Sequence, residues 1–286
     1  MPANNPQSAD RSYKFTYKML GIKFHRYLYH EGETIEFVET EIPDTGQRKD
    51  MTVKVDGKHI QITEFMSKAL YSEKLNDVFD YHDSTRNDQE YKDFEVRTGV
   101  VSISNPNHGI NSVEIDRNIT FHTETIFIKQ MNGRKVLNSL VYKTITQEEL
   151  SDSEAIDLLL LPDMDIDIPI KSLMKMICFI MGHANIPDDD FKMKIILCEI
   201  KVLARFFKQK ELSEMIELLK TQTKNTEVER IIQKYGQGFD TIYFDGKYDN
   251  KLEVARNFLE DGFDEKVISK NTGLSINEIK KLKRKL

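Results

Sequence analysis

Apolar residues recur every three or four positions through 12–30, SYKFTYKMLGIKFHRYLYH, with Phe15, Met19, Ile22 and Leu28 at helical spacing. That pattern predicts a helix, with Asp10 or Ser12 as its N-cap. Residues 34–42 alternate apolar and acidic, which is strand patterning. Pro43-Asp44-Thr45-Gly46 reads as a turn. Two further strands, 50–55 and 59–66, flank Asp56-Gly57, a strong hairpin signal. A polar stretch compatible with helix follows at 72–88, then a strand at 96–104 and a loop at Pro106-Asn107-His108-Gly109. Segments 111–121, 123–130 and 135–145 read as more strands, the last pair joined through Asn132-Gly133.

From Ser151 the period lengthens. Ser151 and Glu154 form a capping-box pattern ahead of the apolar run Ile156–Leu161. Helices are expected over 169–182, 188–208 and 211–221, and near 226–235. Gly236 and Gly238 mark a boundary, and 250–286 reads as helical with breaks at Gly262 and Gly273. The order predicts an α/β (or α+β) N-terminal domain with an all-helical C-terminal half. Three segments result: 1–150, 151–249 and 250–286.

Composition narrows the function classes. The chain has 286 residues, 39% hydrophobic and 31% charged, which suits about two globular domains. Its formal net charge of −6 excludes a uniformly basic nucleic-acid coat, though not a local basic patch. Cys178 and Cys198 form no CxxC pair, so a disulfide framework and a zinc ribbon are excluded and a reducing compartment is expected. The polar first ten residues lack the apolar run of a signal peptide. The most apolar stretch, Ile168–Gly182, is short and carries Lys171 and Lys175, so a core helix is expected and no membrane span. The expected location is the cytoplasm.

The hairpin over 48–68, RKDMTVKVDGKHIQITEFMSK, carries the candidate chemistry. Ile60, Ile62, Glu64, Met66 and Lys68 share one strand face, and a carboxylate on an apolar face needs a partner, a metal or a proton. Register decides whether Glu64 meets Asp50. A two-residue turn pairs Val55 with Lys58, sets Asp50 against Thr63 and turns Glu64 away. A three-residue loop, 56–58, pairs Val55 with His59 and sets Asp50 opposite Glu64, about 5 Å away at the Cβ atoms. Two carboxylates that close can share a divalent cation through oxygen.

These residues resemble the PD-(D/E)XK nuclease superfamily, and more narrowly the recombination-promoting nuclease and putative transposase family. Glu64-Phe65-Met66-Ser67 is similar to that family's IEFQS, Asp10-Arg11-Ser12-Tyr13-Lys14 to its D-x-x-F-K, and ARNFLEDGFDEKVISKNTGLSINEIKKL to its C-terminal tail. The resemblance implies a restriction-endonuclease-like core, a mixed sheet flanked by helices, with an all-helical C-terminal extension. It also implies Mg²⁺-dependent (or Mn²⁺-dependent) hydrolysis of DNA. Asp50, Glu64 and the carbonyl of Phe65 would ligate the ion, which would lower the pKa of a bound water. Asp10 would be an accessory acid; locally it reads equally as a helix cap.

Met66 departs from the family, which has Lys or Gln there to orient the attacking water. A thioether is only a weak acceptor. Lys68, one pleat further along and roughly 6.5 Å away, has the stem to reach back. The alternatives are a weakened nuclease, a nuclease with a migrated lysine, and a catalytically inactive nucleic-acid-binding or regulatory module on the same fold.

Within the tail, 251–261, 265–272 and 276–286 read as three helices, the last two joined through Gly273-Leu274-Ser275 in helix-turn-helix fashion. Val267, Ile268, Leu274, Ile279 and Leu282 would form its core. Residues 251–286 hold nine basic and six acidic residues, a net of +3, which leaves −9 for the rest. The third helix would set Asn277 and Lys280 nearest base edges, with Lys281, Lys283, Arg284 and Lys285 on phosphates. The bland alternative is a helical hairpin with a solvated basic end. DNA is the expected partner, with modest, salt-dependent affinity. No small-molecule cofactor is expected, and self-association is left open. No GxxxxGK[ST], GxGxxG or GxSxG occurs, and the seven histidines lack metal-ligand spacing. Asp188-Asp189-Asp190 reads as a helix N-terminus.

Overall fold

The computed structural model describes residues 6–38, 49–67, 71–104, 111–116, 119–207, 209–223, 255, 259, 265–272 and 276–283. The chain forms two compact units, Met1–Val228 and Glu229–Leu286. The first unit therefore runs through the strand-rich segment and into the helices after it, with no division at residue 150. The physical reason lies in the packing of the first helices on later ones.

Helix α1 (Pro6–Leu20) and helix α2 (Ile22–Tyr29) replace the single helix expected over 12–30. Gly21, at φ 55°, breaks it. Since α1 starts at Pro6, Asp10 lies inside the helix and is not its N-cap. Strands β1 (Ile35–Phe37), β2 (Met51–Val55) and β3 (His59–Met66) are followed by α3 (Ser72–Asn87) and β4 (Glu95–Ser102). The expected strand 111–121 is instead two, β5 (Ser112–Asp116) and β6 (Ile119–His122), which pair in a sheet of their own. β7 (Glu124–Phe127) then leads through a 3₁₀ turn, Ile128–Gln130, to α4 (Gly133–Thr146).

Here the expected strand 135–145 is wrong. Asn132 accepts a hydrogen bond from the Lys135 N–H, so it caps a helix and does not turn a hairpin. Buried Leu137, Leu140 and Thr144 then fall on one helical face.

The main sheet runs β1-β2-β3-β4-β7, with the first three strands antiparallel and β3, β4 and β7 parallel. All eight residues of β3 are buried because both faces are covered. On one face α1 lays Tyr13 and Tyr17 against Phe65, with ring centroids 5.7 Å and 6.4 Å apart. On the same face Tyr29 Oη lies 2.8 Å from Thr63 Oγ1. Gly99 on β4 makes this approach feasible: a Cβ there would sit 2.3 Å from Tyr29 Oη. On the other face α3 packs Leu75 and Val78 against Met66, Val100 and Phe121. The first unit is thus a mixed sheet flanked by helices.

Among the described residues four more helices follow in it: α5 (Asp152–Leu160), α6 (Ile170–His183), α7 (Asp189–Phe206) and α8 (Gln209–Gln222). Both hydrogen bonds of the Ser151–Glu154 capping box are in place, and Asp188 caps α7 by accepting from the Phe191 N–H. Helix α7 packs on α1 and α5, and α2 packs on α5. A buried ion pair ties this together. Arg205 donates to both oxygens of Asp163, at 2.8 and 2.9 Å, and Tyr13 Oη donates to Asp163 at 2.7 Å. Cys178 and Cys198 are buried free thiols. Among the described residues no helix is long and apolar enough to cross a membrane.

In the second unit, α9 (Glu265–Thr272) and α10 (Ile276–Lys283) pack together. Ala255, Ile268 and Ile279 are fully buried, with Leu259 against them. Val267 is 42% exposed, so it is not part of this core as expected; it points away while its neighbour Ile268 turns in. Leu274 lies outside the described residues, as does the Leu282 side chain.

Candidate active site

The β2–β3 hairpin has the longer loop. Val55 pairs with His59 and Met51 with Thr63, which brings Asp50, one residue before β2, level with Glu64. The loop closes through the Lys58 N–H on the Val55 carbonyl at 2.8 Å, with Asp56 at φ 50° and Gly57 at φ 65°. Asp56 holds that conformation because its Oδ1 accepts the Glu33 and Thr34 N–H groups, each at 2.8 Å.

Each acid is held by the other's strand. The Asp50 N–H donates to Glu64 Oε1 at 2.8 Å, and the Phe65 N–H donates to Asp50 Oδ2 at 2.9 Å. The remaining Asp50 oxygen, Oδ1, is ion-paired with the Lys14 ammonium of α1. Asp10, one turn earlier on that helix, has a buried Oδ1 that makes no hydrogen bond.

The local field is negative. Burial and then the Asp50 charge push the Asp10 carboxyl up to about 6, against the pull of Lys14, Arg205 and a hydrogen bond from Ser67. The same two causes hold Glu64 well above the usual carboxylate range, opposed by the Asp50 N–H, Lys74 and Lys14. Burial pushes the Lys49 ammonium down, and it donates to Thr85 Oγ1 at 2.9 Å. Lys74 pairs with Asp77 at 3.2 Å.

These donors are hard oxygens, the type Mg²⁺ and Mn²⁺ prefer. Among the described residues no group of three or more His, Cys, Asp or Glu converges to hold a metal ion. Asp10 is thus a charged neighbour of the Asp50–Glu64 pair and not a third member of a ligand cluster. The unpartnered Asp10 oxygen and the repulsion between the acids fit a cation at the pair. Phe65 contributes its N–H to Asp50 and its ring to Tyr13. Met66 is closed into the apolar cluster under α3. Lys68 lies outside the described residues. Sequence reasoning placed Lys14 in a motif but gave it no role; its four-residue spacing from Asp10 on a helix was the available signal.

In the tail, Lys280 and Lys283 are exposed on α10, and Lys283 Nζ lies 3.4 Å from Glu265 Oε1 on α9. Asn277 and Lys281 belong to α10, but their side chains lie outside the described residues, as do Arg284 and Lys285. Residues 249–284 match the model of the Rpn/YhgA-like nuclease family, C-terminal HTH domain. That match spans both tail helices and their buried contacts. It supports a nuclease-related function and a helix-turn-helix of the DNA-binding kind at this end of the chain. No curated protein and no solved structure matches the chain.

Proposed function

We propose that the first unit is a PD-(D/E)XK-type, restriction-endonuclease-like core that hydrolyses phosphodiester bonds in DNA, with the tail as its DNA-holding element. The observation that carries this reading is the Asp50–Glu64 pair, cross-bonded through the two backbone N–H groups beside Asp10. Mg²⁺ or Mn²⁺, bound by Asp50, Glu64 and the Phe65 carbonyl, would supply an activated water and offset charge on the phosphate. The chain's own contribution is positional. The hairpin register fixes both carboxylates on rigid backbone, and α1 brings Asp10 and Lys14 to Asp50. On α10, Lys280 and Lys283 suit phosphate contacts, with Asn277 toward base edges.

A second reading has its own observation. Met66 is packed in the core, so β3 offers no lysine at that position, which favours a catalytically inactive nucleic-acid-binding module. Plasmid nicking in Mg²⁺ and Mn²⁺ separates the two. Wild type is expected to nick, and Asp50→Ala to abolish it; metal-dependent cleavage that survived Asp50→Ala would remove the site. A chain lacking 249–286 is expected to lose gel-shift affinity for DNA, and undiminished affinity would refute the tail's role.

A further inference from the structure

On its Glu64 face β3 carries no cation beside the acids, since the next residue inward is Met66, enclosed by Leu75, Val78, Val100 and Phe121. Among the described residues three lysines from other segments stand in the field of Glu64: Lys14, Lys49 and Lys74. Two are committed elsewhere. Lys49 is buried on Thr85, and Lys74 is held by Asp77 with the Tyr81 ring 5.8 Å away. Lys14 is ion-paired with Asp50 itself, and its side chain keeps 36% exposure, so a substrate can reach it.

The position of Lys14 is also well determined. Tyr13, its neighbour on α1, stacks on Phe65, the residue after Glu64 and the one whose N–H binds Asp50. Tyr13 is fixed in turn by Asp163 and Arg205. One short path therefore links the lysine's helix to both acids.

We propose that Lys14 is a catalytic residue, the amine that β3 lacks, and that its ammonium turns from Asp50 Oδ1 to a non-bridging oxygen of the scissile phosphate when DNA binds. This rests on the nuclease reading above. In the reaction a water oxygen bonds to phosphorus while the bond from phosphorus to one sugar oxygen breaks. That oxygen leaves with the electron pair and takes a proton from solvent, and the attacking water gives its proton to solvent. Lys14 stays protonated throughout and donates hydrogen bonds to the phosphate as negative charge builds. In the free protein the same ammonium competes with a divalent cation for Asp50 Oδ1.

That competition gives the inference a signature that a structural role cannot imitate. Full-length wild type, Lys14→Gln and Lys14→Arg are compared by plasmid nicking in Mg²⁺ and Mn²⁺, by MnCl₂ titration calorimetry and by thermal melting. Lys14→Gln is expected to lose about 100-fold or more in nicking rate while binding Mn²⁺ at least as tightly as wild type. Lys14→Arg is expected to recover about a tenth or more of the rate. Wild-type nicking with unchanged nicking by Lys14→Gln overturns the assignment and leaves the nuclease reading standing. Loss of nicking together with weaker Mn²⁺ binding and a lower melting point makes Lys14 a structural counter-ion and also overturns it. A wild type that does not nick overturns the nuclease reading and this inference with it.

Discussion

Helix α1 touches two groups of buried carboxylates, and they are built on opposite principles. At Asp163, one acid meets a guanidinium that donates to both its oxygens and a phenol that donates a third bond. Charge is balanced one to one, and both ionic side chains are almost fully buried, at 3% and 4% exposure. At the hairpin, three acids lie together, a half-exposed Lys14 is ion-paired directly with one of them, and an Asp10 oxygen makes no hydrogen bond. The balanced group holds the fold. The unbalanced group raises the proton affinity of Asp10 and Glu64 and lowers stability, an arrangement that pays only where a ligand completes it.

The largest test of this contrast is to break the balanced group. Arg205→Ala leaves Asp163 buried with its charge uncompensated, and is expected to cost about 3–5 kcal/mol. For a unit of this size that lowers the melting temperature by roughly 10 °C, measured by thermal and urea denaturation. A change under about 1 kcal/mol would erase the distinction.

Smaller, and of opposite sign, is the effect of Asp10→Asn in metal-free buffer. The folded carboxyl titrates near 6 against a usual 3.8, so between these values the folded state holds a proton the unfolded state has lost. Wild-type stability therefore falls as pH rises from about 4 to 6 and then levels. The variant lacks that fall, so its advantage grows from near zero at pH 4 to on the order of 3 kcal/mol at pH 7. Urea titrations at several pH values read this directly; a pH-independent difference would contradict it.

The smallest expected effect is Glu64→Gln. The amide keeps an oxygen for the Asp50 N–H and replaces a carboxyl already held toward its neutral form. Stability at pH 7 should stay within about 0.5 kcal/mol, although nicking is lost. A large destabilisation would mean that the Glu64 charge is structural, as the Asp163 charge is.

Much of this could be read along the chain, and the exceptions have physical causes. β3, α3 and the helices α6 to α8 fell close to their expected bounds because the apolar period was clear, and α5 and α7 carry the expected caps; the helices expected near 226–235 and over 251–261 lie outside the described residues, apart from residues 255 and 259. α4 was misread because Val136, Leu137, Leu140 and Val141 suit a strand or a helix, and only the bond from Lys135 to Asn132 decides between them. The hairpin allowed two registers. What selects between them is Asp56, held by N–H groups of residues 33 and 34, a tertiary contact no local pattern contains. Asp10, Asp50 and Glu64 were visible as acids, but the lysine paired with Asp50 comes from 36 residues before it, on a helix placed by the stacking of Tyr13 on Phe65.

The bond from Tyr13 to Asp163 spans 150 residues, and the contact of Arg205 with Ser12 spans 193. During synthesis the ribosome therefore makes both acids of the hairpin long before the clamp that seats α1. At roughly 5–20 residues per second, the stretch from residue 163 to residue 205 alone takes several seconds. Through that interval a nascent chain carries Asp50, Glu64 and Lys14 without the contact that fixes their helix. The order of translation thus works as a timer, and the site is completed only once nearly the whole first unit has been made.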